Sequence, residues 1–229
     1  MTTHGSAVSA APEGRGIVIL ADVIGSRRQP GAAAAWLRRL AGEFDELYGA
    51  QRLARFAFTQ GDELQGLLQQ DADPLRAVLT GTLDEDRMPM RWVVVAGAVE
   101  EGTGPATEQS GPAFFAAREL IGGAQRVRDG LTMRTGAEPA DRLLADVAPV
   151  LAEMLAELSP RQRTIARLAL LEGLRQADVA DRLGVCRATV SVTWGRARVR
   201  SLGRLADATR TIFADGVAAA AAIDGAGAS

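Results

Sequence analysis

The sequence predicts an α+β protein: a ferredoxin-like domain of βαββαβ order followed by an all-α helix-turn-helix. Three observations predict it. Apolar runs of strand length alternate with amphipathic stretches of helical period from residue 15 to about residue 121. From Ser159 onward the period is helical only, in three short segments, with Gly173 and Gly184 after the first two. The charge also divides: residues 155–210 carry 11 Arg against 5 acidic residues, a balance of +6, while residues 1–154 carry 15 Arg against 21, a balance of −6.

The N-terminal elements follow in order. Gly16 to Ala21, GIVILA, is a continuous apolar run rich in β-branched residues, the pattern of a buried central strand, and Asp22 stands at its end. Gly31 to Ala50 reads as a helix with Trp36, Leu37, Leu40, Phe44 and Leu47 at three- and four-residue steps. Leu53 to Phe58 and Leu64 to Leu68 form a hairpin with its loop at Gly61 and Asp62. Asp73 and Pro74 cap a helix running to about Leu83, and Trp92 to Val99 is the strongest strand signal in the chain. Short connections and right-handed crossovers fold this order into a four-stranded antiparallel sheet with two helices on one face. Gly97 to Gly111 is expected to be a mobile flap. Pro112 opens a helix carrying Phe114 and Phe115, read as core, which Gly122 and Gly123 interrupt; residues 124–139 hold scattered Arg and little core.

The C-terminal elements begin with Asp141 to Leu158, an amphipathic connecting segment broken at Pro149, with pairing to a second copy as an alternative role. Ser159, Pro160 and Gln162 make the cap, first position and capping box of the next helix. Its stripe is Ile165, Leu168, Ala169 and Leu171. Gln176 to Leu183 turns Val179, Ala180 and Leu183 inward, and Gly184 supplies a left-handed turn. Arg187 to Val199 is the third helix, with Val190, Trp194 and Ala197 inward and Arg187, Ala188, Ser191 and Val192 outward. Its N-terminal turns suit a major groove, so Arg187, Thr189 and Ser191 are the expected base-reading residues. Arg175, Gln176, Arg196 and Arg198 are expected beside the backbone of double-stranded DNA. The segment resembles the promoter-reading helix-turn-helix of sigma factors and response regulators; a plain tri-helical protein-binding module is the alternative. The expected organisation is a tail (1–14), the ferredoxin-like domain (15–138), the connecting helix (139–158), the helix-turn-helix (159–210) and an Ala/Gly-rich tail (211–229).

Composition removes several classes of chemistry. All 26 basic residues are Arg. The single Cys186 excludes an internal disulfide, and a redox role at the start of the recognition helix has no partner thiol. The only His is His4, which leaves no His-based metal site or Ser-His-Asp triad. No stretch reaches the ~18 apolar residues of a membrane span, and residues 1–14 lack a basic start and an apolar run, so the chain is read as cytoplasmic.

In the expected topology Asp22 and Asp62 meet at one sheet edge. Two carboxylates without His or Lys beside them suit Mg²⁺ or Mn²⁺, which takes one or two carboxylates and fills its other positions with water and phosphates. The implied ligand is a nucleotide or another phosphorylated molecule, with Ser26, Arg27, Arg28 and Arg118 as candidates to meet it. Each Asp equally fits a plain turn-forming role.

The runs ADVIGS, QGDELQGLL, WVVVAGAVEEG and SGPAFFAARELI resemble successive blocks of the class III nucleotidyl cyclases, and their combination with a C-terminal helix-turn-helix resembles the SatD family over roughly residues 15–200. The resemblance implies a palm-like domain, Asp22 and Asp62 as metal ligands, and Arg118 as the arginine of the late helix. Two departures stand against turnover: Phe114 occupies the place of the cyclase Asn that positions the ribose, and Ala57 to Gln60 supply no basic residue before the Gly-Asp turn. The resulting expectation is a DNA-binding regulator that senses a nucleotide with a divalent metal and has no enzymatic turnover, with a metal-dependent nucleotide cyclase or phosphohydrolase tethered to DNA as the alternative.

Overall fold

Strand β1 (Glu13–Val23) has no polar face over its apolar run, and the sheet is added to both of its edges. Ile17, Ile19, Ala21 and Val23 point to one side, Val18 and Leu20 to the other, and none exposes more than 1% of its surface. The computed structural model describes residues 13–58, 62–100, 102–123 and 130–227; the expected N-terminal tail through residue 12, the hairpin tip at Gly61 and the end of the C-terminal tail lie outside them.

β3 (Glu63–Leu68) and β4 (Met90–Glu100) pair antiparallel with β1, and β2 (Arg52–Phe58) pairs antiparallel with β3. The resulting order β2-β3-β1-β4 is the ferredoxin-like arrangement expected from the sequence. A fifth strand, β5 (Leu131–Arg134), adds parallel to β4 at the far edge. It falls in a stretch read as having little core, because its alternation spans only four residues; Leu131 and Met133 are nevertheless buried.

Helix α1 (Pro30–Tyr48) and helix α2 (Leu75–Thr82) cover one face, with Trp36, Leu37, Leu40, Phe44, Val78 and Leu79 against Ile17, Ile19 and Trp92. A buried carboxylate ties this layer together. Asp84 accepts hydrogen bonds from Trp36 Nε1 (3.1 Å), Arg39 Nη1 and Nη2 (2.9 and 2.8 Å) and the Asp86 backbone N–H (2.9 Å). Burial alone would raise its pKa, but those donors hold the carboxyl below its ordinary range.

The opposite face is covered by α3 (Pro112–Gly123), which packs Phe114, Ala117 and Ile121 over Val18, Leu20, Val93 and Val95. Phe115, also read as core, is 58% exposed, since adjacent helical positions point about 100° apart. Gly122 and Gly123 do not interrupt the helix but form its last turn. The stretch expected to be a flap is anchored instead: β4 continues to Glu100, whose N–H bonds the Ser110 carbonyl at 3.0 Å, and Gln109 Nε2 caps the carbonyls of Thr103 and Gly104. It also lies far from Asp22. Asp22 pairs with Arg91 and Glu13 with Glu100, about 30 Å along the strand at ~3.3 Å per residue.

Five helices complete the chain: α4 (Glu138–Ala156), α5 (Pro160–Leu170), α6 (Gln176–Leu183), α7 (Arg187–Arg196) and α8 (Val199–Gly227). α4 runs unbroken through Pro149, contrary to the expected break. Pro149 and Ala145, whose carbonyl loses its partner to the ring, are both exposed, so water can satisfy that carbonyl. The third helix ends before Val199: Ala197 and Arg198 form a turn, with Arg198 at φ 51°, before α8 begins.

The Ala/Gly-rich stretch read as a tail belongs to α8. Phe213, Val217 and Ala220, at steps of four and three, are buried. Gly216 comes so close to Ala140 and Thr135 that an added Cβ would lie 2.6 Å from both, so α8 passes over the start of α4 there. One cluster of buried residues runs from Ile17 in β1 through Leu144 and Ile165 to Val217, and a second, on the other face of the sheet, holds Val18, Leu20 and Phe114. Phe213→Ala should therefore cost about 3–5 kcal/mol of unfolding free energy by urea titration, where a tail residue would cost nothing measurable.

Candidate nucleic-acid interface and acidic edge

The helix-turn-helix is built by local signals. Ser159 N–H donates to Gln162 Oε1 at 2.8 Å, one half of the expected capping box. Gly173 and Gly184 stand at φ 69° and 62°, the left-handed conformation that ends a helix at little cost only for glycine. Val179, Ala180 and Val190 close the small core between α6 and α7.

That packing fixes what α7 presents. Arg187, Ala188, Ser191 and Val192 are exposed along one side, while Val190 is fully buried. Val192, at 55% exposure, adds an apolar group of the kind that contacts a thymine methyl, a role the sequence reading did not assign it. Thr189 is half-buried, and its hydroxyl lies 3.0 Å from Cys186 Sγ. That bond, with the Thr189 and Ala188 N–H groups, lowers the pKa of the exposed Cys186 thiol.

The arginines sort into two groups. Arg167 and Arg210, both half-buried, are held against the body by ion pairs with Glu43 (2.8 Å) and Asp73 (2.7 Å), and the exposed Arg182 pairs with Glu172 (3.3 Å). Arg175, Arg187, Arg196, Arg198, Arg200 and Arg204 have no acidic partner among the described residues, and all six are exposed. The turn at Ala197–Arg198 replaces the expected fan of Arg196, Arg198 and Arg200 around one helix: Arg196 ends α7, Arg198 sits in the turn and Arg200 begins α8. Gln176 is half-buried at the start of α6.

At the sheet edge, Asp22 and Asp62 do come together. The Val23 N–H bonds the Asp62 carbonyl at 3.0 Å, and Ser26, buried behind a left-handed Gly25, donates its hydroxyl to Asp62 Oδ2. The register sets Glu63, Asp22 and Arg91 side by side across β3, β1 and β4. Arg91 Nη2 pairs with Asp22 Oδ2 at 3.0 Å. The sequence reading missed this neutralising partner, since cross-strand register cannot be counted off one strand. Burial first, then Asp62 and Glu63, raise the Asp22 pKa above its ordinary value against the opposing pull of Arg91.

Among the remaining candidates, Arg27 and Arg28 are exposed in the single turn after Gly25. Arg118 is exposed on α3 with its guanidinium 6.0 Å from the Phe114 ring centre, and makes no contact with the acidic edge among those described. Nor is there any group of three or more Asp, Glu, His or Cys placed to hold a metal among the described residues. With Asp22 engaged by Arg91, the donor set does not fit a metal held by protein atoms alone.

The sign of the Asp22 shift has a measurable consequence. A carboxyl whose folded pKa is raised favours the fold while protonated, and that contribution is lost as pH rises from the unfolded value through the folded one. Carboxyl-carbon NMR titration should place the Asp22 midpoint above the usual aspartate value. Asp62→Asn should lower it, and Arg91→Gln should raise it further.

Residues 150–200, from the second half of α4 to the start of α8, match the family model described as Sigma-70, region 4. The C-terminal region thus carries a helix-turn-helix of that type. No curated protein matches the chain. Among solved structures it is similar to a bacterial light-regulated adenylyl cyclase at 13% identity and TM-score 0.40, over 55% of this chain and 44% of that one. A second structure of a bacterial light-regulated adenylyl cyclase gives 14% and 0.39 over the same shares. A regulator of polyketide synthase expression from Bifidobacterium adolescentis gives 14% and 0.26, over 88% of this chain and 82% of that one. The chain spans less than half the length of the cyclases it matches, and no helix among the described residues is long and apolar enough to cross a membrane.

Proposed function

We infer that the protein is a DNA-binding regulator of transcription whose N-terminal domain senses a nucleotide or other phosphorylated ligand. The observation that carries the DNA part is the open face of α7, bracketed by exposed arginines without acidic partners among the described residues. Arg187 and Ser191 read base edges in the major groove. Arg175, Arg196, Arg198 and Arg200 meet phosphates, which supply most of the affinity and its salt dependence. The sigma-70 region 4 match supports the same reading.

The sensing part is supported by the convergence of Asp22, Asp62 and the Ser26 turn, and by the sequence resemblance to the SatD family. Because Arg91 already satisfies Asp22, a divalent ion enters with the ligand's phosphates rather than residing in the protein. Turnover is not part of the reading: Phe114 is fully buried and cannot reach a ribose. Arg167 gives the two parts a physical connection, since it bonds α5 both to Glu43 of α1 and to the Thr80 carbonyl of α2.

In gel-shift titrations against a genomic fragment pool, affinity should fall steeply with salt. Arg187→Ala should cost about 1–3 kcal/mol on the preferred fragments, and Arg196→Gln should reduce the salt slope by about 1 across all of them. Binding that ignores salt would remove the DNA reading. For the sensing domain, Mn²⁺ alone should leave thermal stability unchanged, whereas ATP or GTP with Mn²⁺ at 100 times its dissociation constant should add about 2.7 kcal/mol, lost in Asp62→Asn.

A further inference from the structure

Two open cavities adjoin the half-buried Trp194 on the side of α7 that borders its outward face. Ser191 and Arg198 line one, of about 350 Å³. Arg175, Arg187, Leu170 and Leu174 line the other, of about 620 Å³. Gln176, Trp194, Val199 and Arg200 belong to both, so the two form one trough between the start of α6, the length of α7 and the start of α8. Leu170, Leu174 and Val199 give the trough an apolar floor, and the four arginines that rim it are all exposed. Among the described residues, no acidic side chain lines either cavity. Between floor and rim stands one neutral donor: the Trp194 indole N–H is buried and has no hydrogen-bond partner among the described residues, a state that is costly until an acceptor is supplied.

An occupant that answers all three features carries anionic oxygen beside apolar carbon. A deoxyribose-phosphate strand has both, with phosphate for the arginines and the indole N–H, and sugar carbons for Leu174 and Val199. Position selects a duplex over a free anion. Arg187 and Ser191 line the trough and also stand on the exposed side of α7 that reads base edges. Seating that side in a major groove lays the adjoining trough along one of the strands that bound the groove. Gln176 and Ala177, also in the lining, open α6, and the first N–H groups of a helix lack helical acceptors and favour phosphate.

We propose that this trough seats the sugar-phosphate backbone of one DNA strand and that Trp194 donates its indole N–H to a phosphate oxygen there. The open space beside the ring leaves it room to turn toward the strand. The proposal rests on the DNA-binding reading above and adds to it a contact that carries no charge.

The missing charge separates Trp194 from the arginines experimentally. In gel-shift titrations of the full chain, Trp194→Phe should weaken binding about tenfold on every fragment and leave the slope of affinity against salt unchanged, because a neutral donor releases no counterion. Arg200→Gln should lower that slope by about 1. Replacing the phosphates of a preferred duplex one at a time by neutral methylphosphonate locates the contact. At one position the losses from the replacement and from Trp194→Phe should fail to add, and at distant positions they should add. A measurement on the unaltered chain does not depend on how the variant folds: the Trp194 indole N–H resonance should shift when duplex is added, whereas that of Trp36, already bonded to Asp84 at 3.1 Å, should not. Unchanged affinity in Trp194→Phe, additive losses at every phosphate, or an unmoved Trp194 resonance would each overturn the proposal and leave the DNA reading standing. Absence of salt-dependent binding by the unaltered chain would remove both.

Discussion

The position of the DNA-facing helices depends on one packing event, the burial of the α8 stripe Leu202, Ala206, Phe213 and Val217 against α4 and the sheet layer. Without it the helix-turn-helix would be a separate bead on a linker. With it, the small core around Ile165, Val179 and Val190 joins the core beneath β1. Apolar burial has no direction of its own, so polar contacts set the angle. Arg167 bonds Glu43 and Thr80, Arg210 bonds Asp73, and Arg15 reaches Asp224 near the end of α8. These arginines are engaged within the protein, whereas Arg187, Arg196, Arg198 and Arg200 face outward around α7.

The acidic edge follows a different rule. Three carboxylates, Asp22, Asp62 and Glu63, cluster at the end of a central strand, and such a cluster is tolerable only with a counter-charge. The chain supplies one internally through Arg91, directly opposite Asp22. The guanidinium is only partly satisfied: its Nε and Nη1 are buried without hydrogen-bond partners. Unmade bonds of this kind are costly, so the counter-charge at this edge comes at the expense of hydrogen bonding.

Much of this architecture is legible in the sequence because it rests on period. The two-sided apolar run of β1, the stripe of α1 and the glycines after α5 and α6 each encode their own structure locally. What failed had a non-local cause. Arg91 is invisible without strand register, and β5 is four residues whose strand character comes from pairing with β4. The end of α8 reads as low complexity because its residues are small; the same smallness lets Gly216 and Ala220 approach α4 and the loop after β5 closely. The intrinsic cost of Pro149 drops where the freed Ala145 carbonyl faces water. Asp22 and Asp62 were correctly brought together by topology, but their chemistry depends on a third residue that topology alone did not name.

Joining the two parts through a shared core also constrains how a signal could pass between them. A hinge needs a segment with few buried contacts, and the described path from β1 to α7 has none: α5 is bonded to α1 and α2, and α8 is buried along most of its length. Any influence of the sheet edge on DNA affinity must then be a change in packing or electrostatics across a continuous body rather than a swing of one domain. The Ala197–Arg198 turn adds backbone strain to that path but no slack. Arg198 holds a positive φ that glycine would adopt without strain, and the residues around it line an open cavity with Trp194, Ser191 and Arg200. The turn's backbone is nonetheless held, by Ala197 and Val199 in the core and by the bond from the Arg198 N–H to the Gly195 carbonyl at 3.1 Å, so Arg196, Arg198 and Arg200 follow the packing beneath α7.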